Sequence, residues 1–99
     1  MYQLTATAEH DLEQILHYVA GRDGINRALH VHSKFTTAFE TLTAMPQIGT
    51  LRPNLTGDVV RWHHVFRWAV LYDPQAKPLT ILRIIHGARE IERILRPVH

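Results

Sequence analysis

The amino-acid sequence predicts an α+β fold of two layers, in which a helical hairpin covers one face of an antiparallel sheet. Two stretches with apolar residues at helical spacing occupy the first half of the chain. A β-branched and aromatic run, residues 59–72, follows a loop rich in proline and glycine, and a second apolar run covers 79–85. Helices that are segregated from a run of strands are typical of α+β domains.

The size and composition of the chain indicate one globular domain. Its 99 residues suffice for one hydrophobic core, so we expect a single domain over residues 1–99. Hydrophobic residues make up 45% and charged residues 20%, which argues against disorder. There is no cysteine, which excludes disulfides, thiolate metal sites and a cysteine nucleophile. The first residues contain no signal-peptide or membrane-helix pattern, so we expect the protein in the cytoplasm.

A short strand and a first helix are predicted at the N-terminus. Apolar and polar residues alternate over residues 2–4, which favours a strand. Thr5 and Thr7 are candidate N-caps, because a threonine hydroxyl accepts a hydrogen bond from a free amide of the first turn. Apolar residues then recur at helical spacing, and the helix should end near Gly21, with Gly24 completing the break.

A second helix of roughly twenty residues is predicted to follow at once, which makes a helical hairpin. We expect Asp23 to cap its N-terminus. The helix must end before Pro46, since proline lacks the amide hydrogen that the helix needs. Its predicted apolar face consists of Ile25, Ala28, Leu29, His32, Phe35, Phe39 and Leu42.

Two strands are predicted in the aromatic stretch after a loop over residues 45–58. Prolines and glycines mark this loop. Within 59–72 we place the turn between the strands near His63–Val65, although it contains no glycine. Residues 73–78 form a second turn, marked by Asp-Pro and Lys-Pro.

The last strand is predicted over residues 79–85, with Ile81, Arg83 and Ile85 on one face. A short helix, 88–95, should follow it. If the helical hairpin covers one face of the sheet, the uncovered face should display several arginines.

Charge is distributed unevenly along the chain. Residues 1–50 carry three basic and five acidic side chains, whereas residues 51–99 carry eight basic and four acidic ones. Nine of the eleven cations are arginine, the residue best suited to bidentate contacts with carboxylate or phosphate. The basic half therefore suggests an acidic protein or nucleic-acid partner. The alternative is a solvated face with local ion pairs to Asp58, Asp73, Glu90 and Glu92.

Catalytic and metal sites receive little support from the residues. The eight histidines include no pair spaced by four and no HExxH motif, so we expect no metal and no cofactor. We expect His32 to be a partly buried helix residue. Ser33, the only serine, falls in the middle of a predicted helix and lacks the GxSxG context of a nucleophile. Trp62 and Trp68 could anchor a partner, but core packing is favoured for at least one of them.

The order of these residues resembles the RelE/ParE superfamily of type II toxin–antitoxin toxins, and the ParE branch in particular. The resemblance extends over residues 2–18, Ala28, Phe35, 42–52, 70–72 and 81–90, and its most specific part is His86-Gly-x-Arg89-Glu90. It implies a β-αα-βββ arrangement with a short C-terminal helix. It also implies a ParD-like antitoxin that wraps the toxin, and DNA gyrase as the target.

Members of the RelE branch cut mRNA on the ribosome, and the resemblance leaves this alternative open. Such nucleases place an arginine early in the third strand and often a tyrosine near the C-terminus. Here the aligned strand position is Ala69, and residues 91–99 contain no tyrosine. A nuclease would therefore have to rely on His86, Arg89 and Arg67. A third alternative is an inactive member that only binds an antitoxin.

The resemblance leads to two sets of expected binding residues and to no catalytic residue. The set expected to face the target is Arg83, His86, Arg89 and Arg93. The set expected to bind the antitoxin is Arg61, Arg67, Trp62 and Leu16.

Overall fold

The computed structural model describes residues 1–51 and 60–86. These residues form the strand β1 (Tyr2–Leu4), the helices α1 (Ala6–Asp23) and α2 (Ile25–Ala44), and the strands β2 (Thr50–Leu51), β3 (Arg61–Val65), β4 (Trp68–Asp73) and β5 (Leu79–His86). The α+β class and the order of the predicted elements are confirmed. The predicted helix 88–95 and residues 52–58 of the predicted loop lie outside the described residues.

The sheet has the strand order β1-β5-β4-β3-β2. The N-terminal strand β1 runs parallel to β5, with Tyr2 opposite Leu79 and Leu4 opposite Ile81. The other neighbours are antiparallel. The predicted three-stranded core of the sheet is therefore correct, and β1 and β2 extend it at its two edges.

Thr5 joins the start of α1 to the sheet. Its hydroxyl accepts a hydrogen bond from the Ala8 amide at 3.0 Å and donates one to the carbonyl of Leu82, also at 3.0 Å. Its own amide donates to the carbonyl of Ile81. Of the two threonines predicted as candidate N-caps, Thr5 is the N-cap of α1.

The junction between the helices is a single residue. The helix α1 continues two residues past Gly21, to Asp23, and Gly24 completes the break as predicted. The prediction that Asp23 caps α2 was wrong: Gly24 occupies that position and provides no side-chain hydrogen bond. Gly24 has φ of 93°, a conformation that suits glycine. Neither described helix combines the length and the apolar composition needed to cross a membrane.

The buried stripe of α2 differs in part from the predicted one. Ala28, Phe35, Phe39 and Leu42 are buried as expected, together with Val31 and Ala38. Ile25, Leu29 and His32 are exposed instead. Successive helical residues lie about 100° apart, so these three fall on the arc beside the stripe that faces the sheet.

The turn between β3 and β4 was predicted too early. Val65 pairs with Trp68, so the connecting residues are Phe66 and Arg67 rather than His63–Val65. Phe66 has φ of 56°, the sign that tight two-residue hairpin loops require. Glycine and asparagine, which usually adopt the positive φ of a tight hairpin turn, are absent here. The composition therefore did not indicate where this turn lies.

Apolar residues pack on both faces of the sheet. On the helix side they form the main core, in which Phe35, Leu42, Tyr72 and Ile81 are fully buried. On the opposite face, Trp62, Ala69, Leu71 and Ile85 form a second cluster, with Leu82 packed against it. Both tryptophans are buried, Trp68 in the main core and Trp62 in the second cluster.

An irregularity in β5 explains why the predicted face of this strand was wrong. Leu71 pairs with Arg83, but the next residue, Tyr72, pairs with Ile81, so the register skips Leu82. Such a bulge reverses the alternation of side chains beyond it. Ile81 therefore belongs to the main core and Ile85 to the opposite cluster.

Candidate functional site

A groove opens where the two helices meet the turn between β3 and β4. Its volume is about 630 Å³. The helices contribute most of its lining, and the turn and the end of β5 complete it. The lining residues are Gln14, Ile15, Tyr18, Val19, Arg22, Asp23, Arg27, Val31, Phe66, Arg67, Trp68 and His86.

The floor and the walls of the groove differ in exposure. On the floor, Val19, Val31 and Trp68 are buried. On the walls, Tyr18 is 59% exposed and Phe66 is 49% exposed. Most of the apolar surface that a ligand would meet here is therefore aromatic.

Three arginines lie around these aromatic rings. The guanidinium of Arg27 stands over the Phe66 ring, 5.4 Å from its centroid. Arg22 donates a hydrogen bond to the Tyr18 hydroxyl at 3.0 Å, which raises the pKa of Arg22 above its ordinary value. Arg67 follows Phe66 in the turn and is exposed. Asp23 is the one acid among the lining residues, so the groove carries a net positive charge.

The site residues predicted from the sequence do not include Arg22, Arg27, Tyr18 or Phe66. Arg22 and Arg27 flank the glycine that separates the helices, so a helical hairpin brings them to the same end of the molecule. That relationship was available from the sequence. The approach of this end to the β3–β4 turn depends on tertiary packing, so it could not be predicted from the sequence.

Those arginines of the predicted uncovered face that the structure describes do not form one patch there. Arg83 is bonded to α1: its Nε donates to Oδ2 of Asp11 at 2.8 Å and its Nη2 donates to Oδ1 at 3.2 Å. The Ile84 amide also donates to the Asp11 carboxylate, at 3.0 Å. In the described part of the chain, the buried residues of the opposite face form an apolar cluster, and the exposed His64 lies beside Trp62 of that cluster.

Arg61 lies at the other edge of the sheet and holds the segment before β2. Its Nη1 donates to the carbonyl oxygens of Gly49 at 2.6 Å and of Gln47 at 3.2 Å. The Tyr72 hydroxyl holds the same segment, since it donates to the Pro46 carbonyl at 2.7 Å and accepts from the Gly49 amide at 3.0 Å. Burial raises the pKa of Tyr72 above its ordinary value.

The structure brings together only part of the predicted site. Arg67 and His86 line the groove. Leu16 packs against the main core, whereas Trp62 belongs to the cluster on the opposite face. Arg89 and Arg93 lie outside the described residues.

Burial and spacing determine what acid–base and metal chemistry the described residues offer. Ala69, which aligns with the strand arginine of the RelE-type nucleases, is fully buried. His32, which we expected to be partly buried, is exposed. His63 is half-buried on β3, and its pKa is lowered, chiefly by burial and secondarily by His64. Among residues 1–51 and 60–86, no three histidine or carboxylate side chains come together to hold a metal ion.

A family model matches most of the chain, and a solved structure has a similar fold. Residues 2–91 match the family model described as "ParE toxin of type II toxin-antitoxin system, parDE". Among solved structures, the fold is similar to one titled "Chromosomal ParDE TA system from P. aeruginosa", with a TM-score of 0.73 and 22% sequence identity. That match covers 87% of this chain and 94% of the other. No curated protein sequence matches the chain.

Proposed function

The chain belongs to the family of ParE toxins of type II toxin–antitoxin systems, and from this premise we propose that it poisons DNA gyrase by binding. The proposed mechanism traps the enzyme on cleaved DNA and blocks replication. It requires no bond-breaking chemistry from the toxin itself. A cognate ParD-like antitoxin neutralises the toxin in this proposal.

The observation that carries the non-catalytic mechanism is the apolar cluster on the sheet face opposite the helices. In the described part of the chain, this cluster consists of Trp62, Ala69, Leu71 and Ile85, with Leu82 packed against it, and the exposed His64 lies beside Trp62. Cleavage of RNA through attack by its 2′-hydroxyl needs an orienting base, a cation for the phosphorane and an acid for the leaving oxygen. None of the five apolar side chains can provide such a group.

The remaining nuclease candidates give weaker support to the alternative of mRNA cleavage. Arg67 and His86 share the groove on the helix side, and Arg89 lies outside the described residues. The strand position of the nuclease arginine is a buried alanine, Ala69. Loss of one such electrostatic donor typically costs about 10²–10³ in rate.

The predicted contact residues for the antitoxin lie on separate surfaces. Arg67 is in the β3–β4 turn, Leu16 is on α1, and Arg61 lies near the β2 edge. No single pocket contains residues that are spread in this way. A partner segment that wraps the toxin could contact all of them. This supports an extended antitoxin segment as the neutralising partner.

The proposal is tested with purified toxin, gyrase and supercoiled plasmid. We expect inhibition of supercoiling and accumulation of cleaved DNA after denaturation of the enzyme, with both effects abolished by the cognate antitoxin. A parallel reaction on translating ribosomes should give no cuts in the mRNA at the A site. A-site cuts without any effect on gyrase would overturn the proposal, and no effect in either assay would point to an inactive member.

Substitutions can test the residues that we propose to face gyrase. His86→Gln, Arg89→Gln and Arg93→Gln should each weaken the inhibition, whereas Lys34→Gln, on an exposed part of α2, should not. Arg83 needs a matched control because it also holds Asp11. If Arg83→Gln and Asp11→Asn destabilise the fold alike but only Arg83→Gln reduces inhibition, Arg83 contacts the target.

A further inference from the structure

We propose that the groove between the helical hairpin and the β3–β4 turn binds single-stranded nucleic acid, with its arginines on the phosphates and its exposed aromatic rings against the bases. This inference goes beyond the proposed function, because it concerns a direct contact that does not require gyrase. It rests on the charge of the groove, the orientation of one guanidinium and the kind of apolar surface exposed.

The charge of the groove favours a polyanion. Arg22, Arg27 and Arg67 come from α1, α2 and the turn, and among the described residues Asp23 is the only acid that lines the same space. Cations from separate elements that converge on one groove can follow a phosphate backbone. A volume of about 630 Å³ lies within the range of sites that hold nucleotide-sized ligands.

The position of Arg27 is suited to an anion. Its guanidinium stands over one face of the Phe66 ring, 5.4 Å from the centroid. A guanidinium held over an aromatic ring retains its N–H donors for a phosphate. The His30 ring also lies beside Phe66, with 6.2 Å between centroids. The neighbours of Phe66 therefore fix its ring within the cationic cluster.

The exposed apolar surface of the groove suits bases. The valines of the floor are only 4% and 2% exposed, whereas Tyr18 and Phe66 are 59% and 49% exposed. Accessible aromatic rings are what bases use for stacking, whatever their sequence.

The test uses the purified full chain and a fluorescently labelled twelve-nucleotide single strand, followed by anisotropy at low salt. We expect a dissociation constant in about the micromolar range. The double variant Arg27→Gln/Arg67→Gln should bind at least about tenfold more weakly. Loss of two phosphate contacts should reduce the slope of log Kd against log salt by about 1.4. Lys34→Gln removes an exposed cation elsewhere on α2 and should bind within about twofold of the wild type.

A second variant separates stacking from charge. Phe66→Asn removes the ring, and asparagine tolerates the positive φ of this turn position. It should weaken binding about tenfold while the salt slope stays unchanged. Circular dichroism of each variant checks the fold.

Three results would overturn the inference. One is absence of binding at low salt; another is equal binding by the wild type and the double variant. The third is preference for an unlabelled acidic peptide over the strand, which would assign the groove to a protein partner. A free mononucleotide should compete at least tenfold more weakly than the strand, since it offers one phosphate. None of these measurements contains gyrase, so failure here leaves the gyrase proposal to its own test.

Discussion

The carboxylate of Asp11 on α1 and the guanidinium of Arg83 on β5 form an ion pair, with 2.8 Å between Oδ2 and Nε. The same carboxylate oxygen accepts a hydrogen bond from the backbone amide of Ile84. These bonds hold the first helix to the strand directly after the bulge at Leu82. One acidic side chain therefore determines how the helical layer sits on the sheet at this point.

Replacement of Asp11 by asparagine should lower the free energy of unfolding by about 1.5–3 kcal/mol, the usual range for hydrogen bonds to charged groups. The side chain of Asp11 is only 13% exposed, so water replaces the lost interactions poorly. The midpoint of urea denaturation measures the change. Glu13→Gln alters an exposed carboxylate of the same helix and should stay within about 0.5 kcal/mol of wild type. Equal midpoints for wild type and Asp11→Asn would contradict this account.

Tyr72→Phe should destabilise the protein although the ring is kept. The hydroxyl of this fully buried residue donates to the Pro46 carbonyl and accepts from the Gly49 amide. Without it, two backbone groups lose their partner, at a cost of about 1–3 kcal/mol each when they remain buried. Tyr18→Phe provides the control, because the Tyr18 hydroxyl bonds only an exposed arginine among the described residues. Thermal denaturation of both variants should separate them clearly, and similar curves would argue against the role given to Tyr72.

Two glycine-to-alanine changes should act in opposite directions. At Gly49 an added Cβ would lie 2.8 Å from the Trp62 carbonyl oxygen and would also clash with the Tyr72 side chain. We expect Gly49→Ala to destabilise the fold by about 1–3 kcal/mol, the usual cost of overpacking. At Gly21, inside α1, an added Cβ meets nothing within 4 Å. Gly21→Ala should stabilise the fold by about 0.5–1 kcal/mol. Chemical denaturation of the two variants measures the change in the free energy of unfolding and its sign. A loss of stability in Gly21→Ala would be inconsistent with this account.

The stability of the fold should decrease as the pH falls below about 6.5, because burial lowers the pKa of His63 in the folded state. In that range the unfolded chain binds a proton at this residue and the folded chain does not, so acid favours unfolding until the pH passes the folded pKa. His63→Gln should remove this contribution to the pH dependence of the urea midpoint. His64→Gln should remove only a part, since His64 is the smaller cause of the shift. An unchanged profile for His63→Gln would contradict the assignment.

Local patterns predicted the fold better than they predicted the site. Helical periodicity and Pro46 located α2 correctly, because both act within a few residues. The prediction that Ile81 and Ile85 share a face was wrong because the bulge at Leu82 arises from the pairing of two strands and leaves no local signal. The groove was missed for a similar reason: Arg27 and Phe66 are close only after the hairpin packs on the sheet. The family resemblance predicted the class of protein from motifs that are contiguous in the chain.

The parallel pairing of β1 with β5 has a consequence for how the protein is made. Residues 2–4 leave the ribosome well before their partners, residues 79–81. The edge of the sheet therefore stays open until β5 is made, and a product terminated before β5 lacks the strand on which α1 rests. In a toxin family, this topology postpones the harmful conformation until β5 has been synthesised.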